Sequence, residues 1–350
     1  MRRLLCLLAT VTVASLALTA GVATANHVSC GAVITQDTTL DSDLLNCPGD
    51  GVVIGAPNVR LDLGGHLIDG PDPPVSCCDE GPDGVNNRAG HDGVTIVNGR
   101  IQEFNDGVSI GGFRIGIGYS PSSGNVVRDL AITSNVGIAA AYADNASLEH
   151  NSLTTRKFAI GFVRSSFGTI AENNTDSVPP LGHGAAILVF GDGGLESHHD
   201  LIIGNVVRRG DIDFGGYSNT VARNSVLGGL DAGIGAIGSG NVVAKNVVKG
   251  NTAGIISFGD DNLIEKNELT ENGGDGIRVE RGRSVLSHNI TSRNGDDGIE
   301  VRVAGVRVGK NRAEDNGDLG IVAVPGVIDD GGNKASGNGN PLQCVNVSCK

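Results

Sequence analysis

The sequence contains no tryptophan, a single methionine at its first position, and aromatic residues at only 3%. A globular domain of 350 residues ordinarily anchors its core on aromatic rings. Their scarcity points instead to a core of Val, Ile, Leu and Ala laid out in rows. It also leaves few platforms for stacking sugars, since tyrosine occurs only as Tyr119, Tyr142 and Tyr217. No window carries a sustained apolar stripe at helical spacing. Beyond Ala25 no segment is long and apolar enough to span a bilayer. Positive charge is also in short supply: 26 Lys and Arg face 39 Asp and Glu, for a formal net charge of −13. That argues against nucleic acid as a partner and favours divalent cations.

Glycine is abundant, with 55 residues, and much of it is periodic. A Gly-Ile pair recurs at Gly254, Gly276, Gly298 and Gly320, and an Asn follows each glycine by 13 residues, at Asn267, Asn289, Asn311 and Asn333. The period is 22 residues, which marks a repeat architecture. Within a period, Ile277 and Val279 alternate with Arg278 and Glu280, a strand pattern with one face inward. Three short strands per period make one coil of a parallel β-helix, in which each coil pairs with the next at roughly 4.8 Å and none is stable alone. The fold class is therefore all-β, a solenoid of about eleven or twelve coils. The register extends back through Asn246, Asn224, Asn205, Asn173 and Asn151 to Asp129. Stacked amides satisfy one another as a ladder, because each offers both a donor and an acceptor. Apolar rows stand three residues before and two residues after these rungs.

With this repeat on the page, the chain resembles secreted bacterial right-handed parallel β-helix repeat proteins of the pectin-lyase-like superfamily. The likeness runs from about Val52 to Asn340. The piece from Pro57 to Gly70, Pro-Asn-Val-Arg-Leu-Asp-Leu-Gly-Gly-His-Leu-Ile-Asp-Gly, is similar to the opening coil of such proteins. Right-handedness is implied by that resemblance; the repeat itself speaks only for stacking. A fold of this kind does not by itself name a reaction.

Residues 1–25 read as a signal peptide: Arg2 and Arg3, an apolar run from Leu4 to Leu18, and Ala23-Thr24-Ala25 as the cleavage site. This implies a secreted or periplasmic protein. Residues 26–51 are expected to cap the solenoid, 52–340 to form it, and 341–350 to close it as a tail. Six cysteines follow the leader, an even count that suggests disulfides in an exported chain. Proximity in sequence favours Cys30 with Cys47 and Cys344 with Cys349, leaving Cys77 and Cys78 for a vicinal bridge. Pro71 to Gly90 reads as a long loop and Phe113 to Gly124 as another excursion. Rung spacing stretches to 32 between Asn173 and Asn205, so inserted residues fall at Asp176 to Gly184 and Gly191 to His199. These are either tolerated surface loops or functional ones.

Four constellations carry candidate chemistry. The first is the acidic approach to the Gly-Ile strand, Asp275, Asp296, Asp297 and Asp318, with Arg278, Glu280, Glu300 and Arg302 facing outward on that strand. In β-helix polysaccharide lyases, as the resemblance implies, carboxylates hold calcium against a uronate carboxylate and a basic side chain removes the neighbouring proton. Asp275, Asp296 and Asp297 would then hold Ca2+. Arg278, Arg302, Glu280 and Glu300 would form the catalytic set around an enolate-like anion. The structural alternative is ion pairing across coils, with Arg278 over Glu300 and Glu280 over Arg302. The second is a basic row one residue before the rungs: Arg223, Lys245, Lys266, His288 and Lys310. It reads as a substrate-binding track for an acidic polysaccharide, or else as long side chains splaying into water. The third, Asn174-Thr175-Asp176 with Asp296-Asp297 and His183-Gly184, resembles fragments of the polygalacturonase signature. Here the first run leads into Ser177-Val178-Pro179 rather than Gly, and the His-Gly precedes the Asp pair, both against the family order. The fourth, His198-His199-Asp200 with His183, offers imidazoles for copper or zinc, although the chain lacks the methionines that copper handling favours.

The expectation is an exported monomer that binds, and cleaves or epimerises, an extracellular or cell-wall polysaccharide of acidic character. If it is an enzyme, it is expected to be lyase-like on a uronate-containing glycan. A non-catalytic structural or adhesion module is the alternative, and a periplasmic copper-binding protein a lesser one.

Overall fold

A computed structural model of the chain describes residues 27–73, 81–114, 118–178, 185–191 and 197–350. The segment read as a signal peptide, the Cys77-Cys78 pair and His183 lie outside the described residues. The protein is an all-β parallel solenoid of about 13 turns with about 22 residues per turn. There are more turns than expected because strands join at both ends. Ala32–Ile34 pairs with Val52–Ile54, and Cys344–Val345 pairs with Ile321–Ala323. Both disulfides expected from sequence proximity, Cys30–Cys47 and Cys344–Cys349, are present. No helix among the described residues is long and apolar enough to cross a membrane.

Each complete turn lays down three strands, and like strands stack in columns. The first column holds the Gly-Ile strands, among them Ala253–Phe258, Ile277–Arg281, Ile299–Val301 and Ile321–Ala323. The second includes Leu263–Glu265, Val285–Ser287 and Arg307–Gly309. The third includes Glu268–Thr270, Ile290–Ser292 and Arg312–Glu314. All three stack in parallel and largely in register, so that Ile277 lies opposite Ile299, and Ile299 opposite Ile321. From Ser147–Glu149 and Ser152–Thr155 onward, only two residues part the second and third columns in each turn. The long strands Thr95–Gln102 and Val126–Ser134 run through both and fuse them into one sheet.

The core is built from the anticipated rows. Ile277, Ile299 and Ile321 are fully buried, as are Leu286 and Val308 before the rungs and Leu269 and Ala313 after them. The amide ladder runs unbroken from Asn151 to Asn333. Each Nδ2 donates to the Oδ1 of the next rung at 3.0–3.3 Å, and each Oδ1 also accepts the preceding rung's backbone N–H. Asp129 is not a rung. It is exposed with φ 57°, and the buried Leu130 takes the place, its N–H donating to Asn151 Oδ1. That coil is displaced by one residue, so Val127 and Ile132 fill the flanking rows.

The glycine of each Gly-Ile pair has a steric cause. A Cβ on Gly276 would stand 2.6 Å from the carbonyl oxygen of Gly298 and 2.9 Å from Asn294 Nδ2, closer than packing permits. The expected loop Pro71 to Gly90 contains a first-column strand, Asp83–Asn87. Beyond it Arg88 bridges the buried Asp83 and Asp106 at 2.6 and 2.7 Å. The Phe113 to Gly124 excursion turns back on itself, with Gly118–Ser120 antiparallel to Asp106–Arg114.

Candidate functional site

Strand alternation sends Ile277 and Val279 inward and leaves Arg278 and Glu280 on the outer face of the first column. Arg278 lies over Glu300 in register, as expected, but their charges are satisfied elsewhere. Arg278 Nη1 donates to Asp275 Oδ2 at 3.2 Å. Its Nε stands 2.9 Å from Glu280 Oε1, an ion pair without hydrogen-bond alignment. Glu280 Oε1 also accepts from Arg302 Nη1 at 3.0 Å, and Arg302 Nη2 reaches Glu300 Oε2 at 2.8 Å. The Glu280–Arg302 pair across coils is therefore formed, and all four side chains belong to one network. Glu300 first, then Glu280, holds the Arg302 guanidinium above its already high range.

Above this network sits the acidic turn. Asp275 and Asp297 are buried, and each caps the coil beyond it. Asp275 Oδ1 accepts the Asp297 N–H at 3.2 Å, and Asp297 Oδ1 accepts the Leu319 N–H at 2.8 Å. Ligand oxygens of Asp275, Asp297 and Glu300 lie within 4.8 Å of one another, as do those of Asp296, Asp297 and Asp318. Burial pushes the Asp275 carboxyl up, reinforced by Glu300. Burial likewise takes Asp297 to about 6, with Asp296, Asp275 and Asp318 adding repulsion. Crowded carboxylates of this kind are relieved by a proton or by a hard cation, and an all-oxygen donor set fits calcium. The residues present thus suit the group expected there.

An open groove runs beside Arg278, floored by glycines of the turn between the third and first columns, including Gly229, Gly273 and Gly274. Ile256 and Arg278 also line it, and Leu230 and Asp231, of the N-terminal-most of its three coils, lie at that end. Sequence reasoning missed the acids at that end. Burial raises Asp211 to about 7, with Asp213 and Asp231 reinforcing it, and its Oδ1 has no hydrogen-bond partner. Burial raises Asp213 to about 6, with Asp231 again the charged neighbour. The signal was present: Asp211 stands before Ile212 in the slot that glycine holds in the Gly-Ile coils.

Other expected residues lie apart from this face. Arg223, Lys245, Lys266, His288 and Lys310 are exposed and aligned, but they occupy the corner between the second and third columns. That is the one corner of the coil that the first column does not enter, so they do not line the carboxylate face. Asp176 is a third-column residue paired twice with Arg209, at 2.7 and 2.6 Å, and Thr175 is core. The polygalacturonase-like fragments are therefore dispersed. His198 and His199 do meet, Nδ1 to Nδ1 at 3.0 Å, in an exposed cluster with Phe167 and Tyr217. Asp200 does not join them. It points inward, where its Oδ1 accepts the Gly168 N–H and Asn219 Oδ1 accepts the Asp200 N–H. It heads a second amide ladder through Asn219, Asn241 and Asn262. A third ladder runs from Asn251 through Asn272, Asn294 and Asn316 to Asn338. Its spacing of 21 or 22 residues was visible in the sequence.

Residues 232–338 match the family model described as a right handed beta helix region. Comparison with curated protein sequences gives no match. Among solved structures, the chain is similar to the mannuronan C-5 epimerase AlgE6 A-module of Azotobacter vinelandii. Identity there is 14% and the TM-score 0.45, over 89% of this chain and 86% of that one. It is also similar to a hyperthermoactive exopolygalacturonase from Thermotoga maritima, at 9% identity and TM-score 0.40 over 82% and 80% of the two chains. A third is the catalytic unit of an α-1,3-glucanase from Streptomyces thermodiastaticus, at 14% identity and TM-score 0.40 over 86% and 62%.

Proposed function

We propose that this β-helix binds an acidic, uronate-containing polysaccharide along the outer face of its first column, with calcium, and removes the proton next to the uronate carboxylate. The product is then a cleaved or an epimerised chain. One observation carries this reading: Asp275, Asp297 and Glu300 converge within 4.8 Å beside Arg278, at the edge of an open groove. Asp275, Asp296 and Asp297 would hold the cation, which when bound neutralises the substrate carboxylate and so acidifies the adjacent carbon. Arg278 and Arg302 stabilise the enolate-like anion through charge. Arg302 is held too firmly charged by Glu300 and Glu280 to accept a proton, so its part is electrostatic rather than that of a base. Glu300 holds Arg302 in place. Glu280, whose Oε1 engages both guanidiniums, would accept the proton as carboxylate base through its other oxygen. Cleavage passes a proton to the departing glycosidic oxygen, and epimerisation returns one from solvent to the opposite face of the carbon. The two disulfides support an extracellular or periplasmic setting.

The test is ultraviolet absorbance of unsaturated product, with the chain from Asn26 to Lys350 incubated with pectate, alginate and glycosaminoglycans. A calcium-dependent rise on one polymer, abolished by chelator and by Arg302→Gln, supports cleavage. A flat panel sinks the lyase form. A structural or adhesion module is the second reading. It is favoured by the mutual pairing of Arg278, Glu280, Arg302 and Glu300, which needs no ligand, and it predicts no turnover and no calcium dependence.

A further inference from the structure

The corner between the second and third columns carries a feature that stacking does not explain. From the turn at Asp129 onward, one residue there adopts a left-handed backbone just before the rung position. From Asp129 to Gly332, φ at this position lies between 54° and 76°. Glycine suits that conformation and longer side chains do not, and Gly204 and Gly332 hold it at two coils. The five coils between them place Arg223, Lys245, Lys266, His288 and Lys310 there instead.

The preceding residues Ala222, Ala244, Glu265, Ser287 and Gly309 pair in register from coil to coil. The five side chains therefore form one straight ridge, spaced by roughly the 4.8 Å between strands. An acid in the row could offset such a stack, and earlier in the same row one does stand there: Glu172 Oε2 lies 2.8 Å from His150 Nε2. Along the ridge, among the described residues, the one ion pair is Lys266 with Glu265, at 2.9 Å. Like charges stacked this way repel, so the arrangement costs stability unless an anion offsets it.

We propose that this ridge is a second binding site, which anchors a linear acidic polysaccharide away from the carboxylate face. It goes beyond the catalytic reading, since it holds whether or not the bound polymer is turned over. The chemistry fits a chain with one carboxylate per sugar, because the cations repeat on the scale of a single pyranose ring. Two exposed aliphatic side chains beside the ridge, Val247 and Ile290, suit the apolar edges of sugar rings. The positions on either side of the five ridge residues carry no aromatic residue on which bases would stack, and the whole chain is acidic. A polysaccharide therefore fits better than a nucleic acid.

The test is affinity electrophoresis of the chain from Asn26 to Lys350 in gels containing polyuronate, across a salt series and with chelator present. The triple variant Lys245→Gln, Lys266→Gln, Lys310→Gln should lose at least tenfold in affinity and much of its salt dependence. The Lys→Arg triple should retain both, which separates charge from folding, and without polymer the Gln triple should unfold no earlier than the unchanged chain. Asp297→Asn should leave chelator-resistant retention unchanged. Unchanged affinity in the Gln triple overturns the ridge while leaving the carboxylate face untouched. Equal retardation by duplex DNA, lost in the same variant, overturns the polysaccharide as occupant.

Discussion

Asn267 shows what one side chain does in this fold. Its Oδ1 accepts from both the backbone N–H and the Nδ2 of Asn246, and its own Nδ2 donates to Val243 O and Asn289 Oδ1. Replacing it with Ala strands two buried donors on one side and an acceptor on the other. Asn267→Ala should therefore cost roughly 2–4 kcal/mol, read from the shift in denaturant midpoint. Asp200 is the opposite case, a carboxyl where the neighbouring rungs carry amides. Burial raises it to about 7, and its Oδ2 has no partner. Its folded value lies above its unfolded value near 3.9, so the native state favours the protonated form. Below pH 4 both states are protonated and the group costs nothing. As pH rises towards 7 the unfolded state alone ionises, and stability falls. Asp200→Asn should thus be neutral at pH 4 and stabilising by on the order of 2–4 kcal/mol at pH 8, read by unfolding at the two pH values. Equal shifts at both would mean that the carboxyl is solvated or paired.

At the level of the element, the turn and the strand obey different constraints. The close approach of coils at the Gly-Ile slot leaves no room for a side chain, so Gly276→Ala should cost about 1–3 kcal/mol by overpacking. At exposed Gly250, where a Cβ meets nothing within 4 Å but φ is 69°, the cost of Ala should be smaller and purely conformational. Comparing the two unfolding midpoints separates steric from backbone causes. The same distinction governs what the sequence revealed. Columns, core rows, first ladder and both disulfides were legible because each repeats or is local. The coil at Asp129 was misread because its apolar alternation is equally good one residue on, and only the pairing of Leu130 with Asn151 decides the register. On the candidate face, the positions of Asp275, Asp297, Arg278 and Arg302 were legible from the period. Their partners were not, since a guanidinium reaches along its own strand as readily as across to the next coil. Asp211 and Asp213 were overlooked because they break the repeat, and Asp200 was misassigned because adjacent histidines drew it outward.

For the whole molecule, one face, one corner and the interior have distinct characters. The first column presents carboxylates and paired arginines beside a groove, the far corner presents a basic ridge, and the interior holds apolar rows and amide ladders. An acidic chain of net charge −13 repels polyuronate at long range, so binding needs local devices, a divalent cation at one face and a row of Lys and Arg at the other. Calcium affinity at the carboxylate face should weaken as pH falls through about 6, where Asp297 gains its proton, and titration calorimetry at pH 5 and pH 7 would show it. The chemistry itself is tested most directly in heavy water. Both cleavage and epimerisation begin by removing the proton next to the uronate carboxylate; epimerisation then returns a solvent proton to that carbon and cleavage leaves a double bond. Incubating the chain with pectate or alginate in deuterium oxide should therefore either place deuterium on that carbon or produce unsaturated ends that absorb in the ultraviolet. One or the other, requiring calcium and failing in Arg302→Gln, is the expected result. Finding neither deuterium nor unsaturated ends in any uronate polymer, with calcium bound and the polymer retained, would contradict a catalytic face and leave the solenoid a binding protein.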